Sequence, residues 1–510
     1  MVLNTDLLDN LLAVLPEILL VILGVWVLAV DLRAFGLRRE QAGYWASVGL
    51  LVIAAVNIAL APTKDTIQEQ LVLGGMLRHD EFTQIFRTMV YIAAALTCLI
   101  AQGDTRLRYK GEFYLIIIVA SIGAGLMGGA SDLVMVFVAL ETLSILLYAL
   151  AGFGREEAGE VALRSSESGL KYFLLGSFAS AFLLYGFSLI YGFTGHTNLY
   201  EIGKTLSDGK LTDPPIIVAL LMMTVGFAFK ISAVPFHFWT PDVYEGAPTP
   251  MSAYVSVASK AASFALLLRF LLAVFPPSEF VSGAAVNYSE LWVPVLSIMA
   301  VVTMTLGNFL ALVQSNMKRL LAYSSIAQAG YALIGVAAIS TTEGGDGAAS
   351  VAYYMFMYVL TNILAFGCII VFVNATGSEN IKDMAGLGRR NLWLGIFMSV
   401  ALLSLGGIPP AAGFIGKLLL FRAAIDAGLI WLAVIGVINA IVALYYYLVI
   451  IKVMFFDATP DEHKPIPMQI NYAWALGLST VGVIAMGTFL AQVIISWAAE
   501  AGLQLFEPFA

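Results

Sequence analysis

The sequence predicts an all-α polytopic membrane protein. Three observations carry that prediction. Mean hydropathy is +0.89, and only 12% of the 510 residues are charged, where a soluble globular chain carries about 25%. Runs of about 18–25 apolar residues recur from end to end, each long enough to cross about 30 Å of hydrocarbon. The eight tryptophans fall within a few residues of the ends of those runs, as an aromatic belt requires.

Fourteen runs qualify as spans: 11–30, 42–60, 82–101, 112–130, 132–153, 168–191, 215–239, 251–275, 291–313, 319–339, 349–374, 391–425, 428–455 and 472–498. The first lacks a basic leader and a small-residue cleavage site, and it reads as a retained helix. The fourth contains Gly123, Gly125 and Gly128 in the spacing G-x-G-x-x-G. No strand precedes them, so the spacing does not mark a dinucleotide site. Gly125 and Gly129 form G-x-x-x-G, which reads as close helix packing. The seventh run carries Lys230 five residues before Pro235. The twelfth is long and interrupted by Gly406, Gly407, Pro409 and Pro410, with Lys417 after them. Cys98 and Cys368 are isolated in apolar runs, and the four histidines are scattered. Neither pattern fits an iron–sulfur cluster or a metal site.

Basic residues set the orientation. Fifteen lysines and arginines fall in one set of alternate loops. Four fall in the other: Lys64, Arg78, Lys204 and Lys210. The positive-inside rule makes the first set cytoplasmic, and fourteen spans then put both termini on the outer face. The net charge of −8 has little bearing on topology.

The two proline breaks suggest an internal repeat. Five-helix units drawn around them cover 111–275 (helices 4–8) and 290–456 (helices 9–13), flanked by 1–110 (helices 1–3) and 470–500 (helix 14). Five is odd, so the second unit enters the membrane from the opposite side. Inverted repeats with broken helices at corresponding positions are a transporter signature. The inversion puts Lys230 and Lys417 at comparable depth, on the outer side of their breaks.

Seven basic side chains fall inside spans: Arg87, Lys171, Lys230, Lys260, Arg269, Lys417 and Arg422. Arg87, Arg269 and Arg422 lie near helix ends, where snorkelling is expected. Lys171 lies near an inner end and reads equally as structural or functional. Lys260 is nine residues into its span, about 14 Å from its start at about 1.5 Å per residue. Glu141 is comparably deep in LVMVFVALETLSILLYAL. Four ionisable residues near a membrane midplane, two of them beside helix breaks, point to proton transfer rather than packing. A buried lysine gives up its proton readily. A carboxylate about 4 Å away restores it, at about 4 kcal/mol for an effective dielectric of about 20. The separation of Glu141 and Lys230 would thus set the protonation of the pair. His237, two residues past Pro235, could relay protons or hydrogen-bond carbonyls freed by the break. Asp242 and Glu245 read as solvated or capping residues of the inner loop.

FKISAVPFHFWTPDVYEGAPTPMSAYVSVASKAASF, MKRLLAYSSIAQAGY and LLSLGGIPPAAGFIGKLLLF resemble the N subunits of bacterial NADH-quinone oxidoreductase, respiratory complex I. The resemblance covers nearly the whole chain. The wider family includes the L and M subunits and the large subunits of Mrp-type cation/proton antiporters. A lysine in helix 8 rather than a histidine-rich stretch, a lysine rather than a glutamate in helix 12, and no long lateral helix after helix 14 all favour the N type. The resemblance implies that Glu141, Lys230, Lys260 and Lys417 form part of a hydrated axis in an antiporter-like proton channel. It implies M and K subunits as neighbours. NADH, FMN, iron–sulfur clusters and a ubiquinone or menaquinone would bind in partner subunits, with none bound by this chain. The expected setting is the bacterial inner membrane, in contact with lipid and not nucleic acid. The alternative is a free-standing cation/proton antiporter.

Overall fold

The computed structural model describes residues 7–36, 38–60, 62, 70–156, 159–207, 214–277, 287–341, 346–461 and 463–505. Lys64 and Lys210, used above for orientation, lie outside them.

Helices dominate. They run α1 (Leu7–Ala13), α2 (Leu15–Asp31), α3 (Ala42–Ala59), α4 (Glu81–Ala101), α5 (Gly111–Gly129), α6 (Leu133–Ala151), α7 (Glu160–Thr194), α8 (Leu199–Ser207), α9 (Pro214–Ile231) and α10 (Trp239–Gly246). There follow α11 (Thr249–Val274), α12 (Ser289–Leu312), α13 (Met317–Ala337), α14 (Asp346–Thr376), α15 (Leu392–Gly406), α16 (Ala412–Asp426), α17 (Ile430–Phe455), α18 (Ile470–Met486) and α19 (Ala491–Leu505). A two-stranded antiparallel ribbon, β1 (Leu71–Val72) with β2 (Leu77–Arg78), precedes α4. Among the described residues, 11 helices are long and apolar enough to cross a membrane, or up to 13 if each bent pair is one span.

The difference from fourteen lies in the broken helices. The expected first span bends by 59° between α1 and α2, and the last by 79° between α18 and α19. The run 391–425 divides into α15 and α16, separated by residues 407–411. The run 215–239 ends as helix at Ile231, and Trp239 opens the separate α10. Each break has a local cause. Ser232 takes a positive φ of 64° after α9, and Gly407 one of 85° after α15, a conformation that cannot continue a helix. Prolines follow, without N–H groups to donate. Val234–Pro235 and Pro409–Pro410 are cis peptide bonds.

Burial sorts the helices into layers. The apolar stretches of α4, α11, α13 and α14 are almost entirely covered by other helices, whereas most of those of α7 and α17 face outward. The polar residues of α11, α13 and α14 are therefore in the middle of the protein. Close approach explains the glycines of α5. A Cβ on Gly123 would lie 2.7 Å from the Ala139 carbonyl oxygen and 2.8 Å from the Leu143 nitrogen, so only glycine lets α6 pack there.

Candidate functional site

Glu141, Ser144 and Tyr148 sit on α6 at i, i+3 and i+7, along one stripe of the helix. The stripe meets the last turn of α9, which carries Lys230. Lys230 is 3% exposed, and its Nζ donates to Ser144 Oγ and lies 5.5 Å from the Tyr148 ring centroid. Glu141 is within electrostatic reach of Lys230 but accepts its hydrogen bond from Ser180 Oγ on α7 at 2.6 Å. The sequence predicts a Glu141–Lys230 pair of variable separation; here Ser144 receives the ammonium and Ser180 holds the carboxylate.

Lys260 opens the C-terminal part of α11, directly after a π-helical turn at Val255–Ser259. One extra residue in that turn rotates Lys260 relative to an unbroken helix. Lys260 is 1% exposed. Its Nζ donates to the Ser325 carbonyl and to Ser325 Oγ at 2.5 Å on α13. Tyr358 on α14 also donates to Ser325 Oγ, at 2.8 Å.

Lys417 lies on α16, 4% exposed. Its Nζ donates to the carbonyls of Leu405 at 2.9 Å and Gly406 at 3.1 Å, the last residues of α15. The negative end of a helix dipole favours a cation there, and the Tyr331 ring centroid lies 4.7 Å away. In an uninterrupted helix those carbonyls would bond the N–H groups four residues on. Those residues are Pro409 and Pro410, which have none. The prolines that break the helix also keep two acceptors free for Lys417.

Polar side chains of α13 occupy the interval between Lys260 and Lys417, from Ser325 at one end to Gln328 at the other. Ser324, next to Ser325, shares a hydrogen bond of 2.5 Å with Tyr447 OH on α17. Gln328 Nε2 donates to Tyr447 OH at 3.4 Å and to the Leu405 carbonyl at 3.2 Å, the acceptor that Lys417 uses. The stretch between Lys230 and Lys260 differs. Tyr148 OH, Tyr172 OH and Ser259 Oγ are buried there, Tyr148 beside Ser144 and Tyr172 beside Ser259, without a well-formed hydrogen bond among the described residues. Buried hydroxyls of this kind are where ordered water is found in proteins.

The row connects to a recognisable family. A family model described as NADH:quinone oxidoreductase/Mrp antiporter, transmembrane, matches residues 130–443. The NADH-quinone oxidoreductase subunit N of Trichlorobacter lovleyi is 41% identical, covering 96% of this chain and 97% of the relative. The chain belongs to the subunit N family of NADH-quinone oxidoreductases. A chain of respiratory complex I from Thermus thermophilus superposes with a TM-score of 0.74 at 32% identity, covering 94% of this chain and 99% of that one. A chain of the Mrp complex from Dietzia sp. gives a TM-score of 0.82 at 20% identity, covering 99% and 98%, and so shares the fold.

Other expected site residues fall elsewhere. His237 lies in the break between α9 and α10, 4% exposed, with Nδ1 free of hydrogen bonds among the described residues. Pro235 lies in the same break and is exposed. Lys171 is not a buried carrier. Its side chain is 41% exposed and pairs with Glu167 at 2.6 Å and Asp242 at 2.7 Å. Asp242 and Glu245 are ion-paired rather than merely solvated, both meeting Arg319 Nη1, at 3.0 Å and 2.9 Å. Burial alone would raise the Asp242 pKa; hydrogen bonds from Lys171 and Arg319 outweigh it and hold the carboxyl below its usual range.

Two expected snorkelling arginines are buried instead. Arg269 is 1% exposed and binds both oxygens of Asp80, at 2.8 and 2.9 Å. Arg87 pairs with Glu17 at 3.0 Å. In each case a carboxylate from another part of the fold supplies the counter-charge that removes the need to reach the interface. Arg422 does remain exposed, beside Asp426.

Proposed function

We propose that this chain is the proton-translocating membrane-arm subunit of an NADH-quinone oxidoreductase. The observation that carries the proposal is the buried row Lys230, Lys260, Lys417, with Ser324, Ser325, Gln328 and Tyr447 filling its second interval. Each lysine nitrogen has hydroxyl or carbonyl oxygens to hold it, and none of the three forms an ion pair among the described residues. Such lysines can lose and regain a proton with little rearrangement. Glu141, held by Ser180, stands where a small shift of α6 against α9 would bring it to Lys230 or draw it away. That shift would load or release the first proton. Water lined by Tyr148, Tyr172 and Ser259 would carry it to Lys260, and the hydroxyl–amide chain would carry it to Lys417. His237 lies beside the start of the row and is a candidate relay to the inner face. Lys171 stands in an inner ion-pair cluster and orders the α7–α10 contact.

Residues 111–275 and 290–456 read as inverted repeats, each with one broken helix and one lysine beside the break. The flanking units are 1–110 and 470–500. Fourteen spans, with the broken helices counted as crossings, would place both termini outside the bacterial inner membrane. M and K subunits would be neighbours, and NADH, FMN, iron–sulfur clusters and quinone would reside in partner chains.

The test is a pair of substitutions in the assembled complex, Lys230→Met and Glu141→Ala, assayed in sealed vesicles. Both should depress proton pumping and, through coupling, quinone reductase turnover. Intact pumping and turnover in both would remove the proposal. Isolation of the native chain in mild detergent with no redox subunits would favour the antiporter reading instead.

A further inference from the structure

Of the buried ion pairs outside the lysine row, Asp80–Arg269 is bonded at both carboxylate oxygens, whereas Glu17–Arg87 is not. Glu17 on α2 and Arg87 on α4 are 6% and 1% exposed, with Arg87 Nε 3.0 Å from Glu17 Oε1. Arg87 Nη1 donates to the Ala13 carbonyl at the α1–α2 bend, at 2.9 Å. The pair is half made. Glu17 Oε2, Arg87 Nη2 and, despite its 3.0 Å ion-pair contact, Arg87 Nε have no hydrogen-bond partner among the described residues, whereas a two-pronged pair would satisfy all three. Tyr91 OH donates to Glu17 Oε1 at 3.2 Å. His79, two residues before α4, also has a buried Nδ1 without a partner among the described residues. Burial, and then the charge of Arg87, push His79 down to about 4. Its imidazole is therefore neutral at pH 7, with Nδ1 available as an acceptor.

A polar trail reaches this pair from the helix of Lys260. Tyr254, just before the π turn of α11, shares a hydrogen bond of 2.8 Å with Ser121 Oγ on α5. One turn further along α5, a Cβ on Gly125 would lie 2.8 Å from Tyr91 OH and 3.2 Å from Glu17 Oε1. The missing side chain thus makes room for both groups against the helix. The rise between positions 121 and 125 is about 6 Å, within the span of one bridging water.

We propose that Glu17 is the proton-accepting station of a branch that leaves the lysine row through Ser121 and Tyr91 and empties to the outer face through His79. The Tyr91 hydroxyl gives its proton to Glu17 Oε1, the oxygen it already bonds, and takes another from the Ser121 side; the neutral acid then turns and gives its proton to His79 Nδ1. Arg87 stays cationic throughout and holds the emptied carboxylate. The branch rests on the proton-translocating reading and orientation above.

The experiment compares Tyr91→Phe, Glu17→Gln and Lys230→Met in the assembled complex in sealed vesicles. Infrared difference spectra of the native and Glu17→Gln complexes on energisation accompany it. The branch is expected to show as severalfold slower pumping in Tyr91→Phe and Glu17→Gln, and as a carboxylic-acid band in the native spectrum that Glu17→Gln removes. Native pumping in both, with Lys230→Met inactive, overturns the branch and leaves the parent reading standing. Native pumping in all three overturns both. If Glu17→Gln fails to assemble, Tyr91→Phe decides, because it leaves the ion pair intact.

Discussion

Tyr447→Phe tests the hydroxyl–amide chain without altering a charge. Tyr447 is fully buried, and phenylalanine fills the same volume. The substitution removes a 2.5 Å hydrogen bond to Ser324 and a long 3.4 Å contact from Gln328. Gln328 Nε2 keeps the Leu405 carbonyl, so the stability cost is that of one net bond and one stranded hydroxyl, about 1–3 kcal/mol. The complex should therefore still assemble. Proton movement should suffer more. A positioned proton-transfer group is worth at least about a hundredfold in rate, or about 2.7 kcal/mol of barrier. Pumping and coupled quinone reduction in sealed vesicles should fall accordingly. Tyr353→Phe is the control, because it loses a comparable bond, to the Met486 carbonyl at 2.5 Å, that is off the chain. Tyr447→Phe pumping within about twofold of native, a barrier change of only about 0.4 kcal/mol, would refute a route through this hydroxyl.

Gly413→Ala should disrupt the second break, since its Cβ would lie 1.7 Å from the Ser404 carbonyl oxygen, a backbone atom that cannot swing aside. A cost at the upper end of overpacking, about 3 kcal/mol or more, should appear as a lowered melting temperature and less assembled complex on native gels; an unchanged melting temperature would refute the close approach. Asp242 predicts an acid limit. Its pKa is depressed in the folded protein, so its contribution is fully present above the ordinary value of 3.8 and disappears as pH falls through the folded value. Melting of the detergent-solubilised complex should lose stability below about pH 4, and Asp242→Asn should flatten that dependence while lowering stability at neutral pH.

Much of the site was legible because lysine and proline are conspicuous in apolar sequence. Lys230, Lys260 and Lys417 are all buried as expected, and both breaks fall at their prolines. The connecting groups were not legible. Ser324, Ser325, Gln328 and Tyr447 are ordinary helix residues by composition, and their role comes from helices distant in sequence. The π turn before Lys260 has no signature in VSVAS. Glu17 and Asp80 are far in sequence from the arginines they pair with, Arg87 and Arg269, so the sequence alone places those arginines at the interface. The i, i+3, i+7 spacing of Glu141, Ser144 and Tyr148 was readable, and would have suggested a hydroxyl beside the carboxylate.

The prolines at 409 and 410 make the Lys417 cradle insensitive to winding. In most kinked spans a carbonyl freed by the kink can be recaptured when the helix straightens, so a ligand held there can be expelled by rewinding. Here the residues four places on have no hydrogen to offer, and straightening α15 into α16 would still leave Leu405 and Gly406 with open acceptors. The cradle behaves as a fixed terminal. Any switching at this end of the row must come from the lysine arm, from the Tyr331 ring or from Gln328, which competes for the same Leu405 oxygen. Control at the Lys230 end, where a serine hydroxyl can rotate away, is free of that constraint, which makes the two ends of the row mechanically unequal.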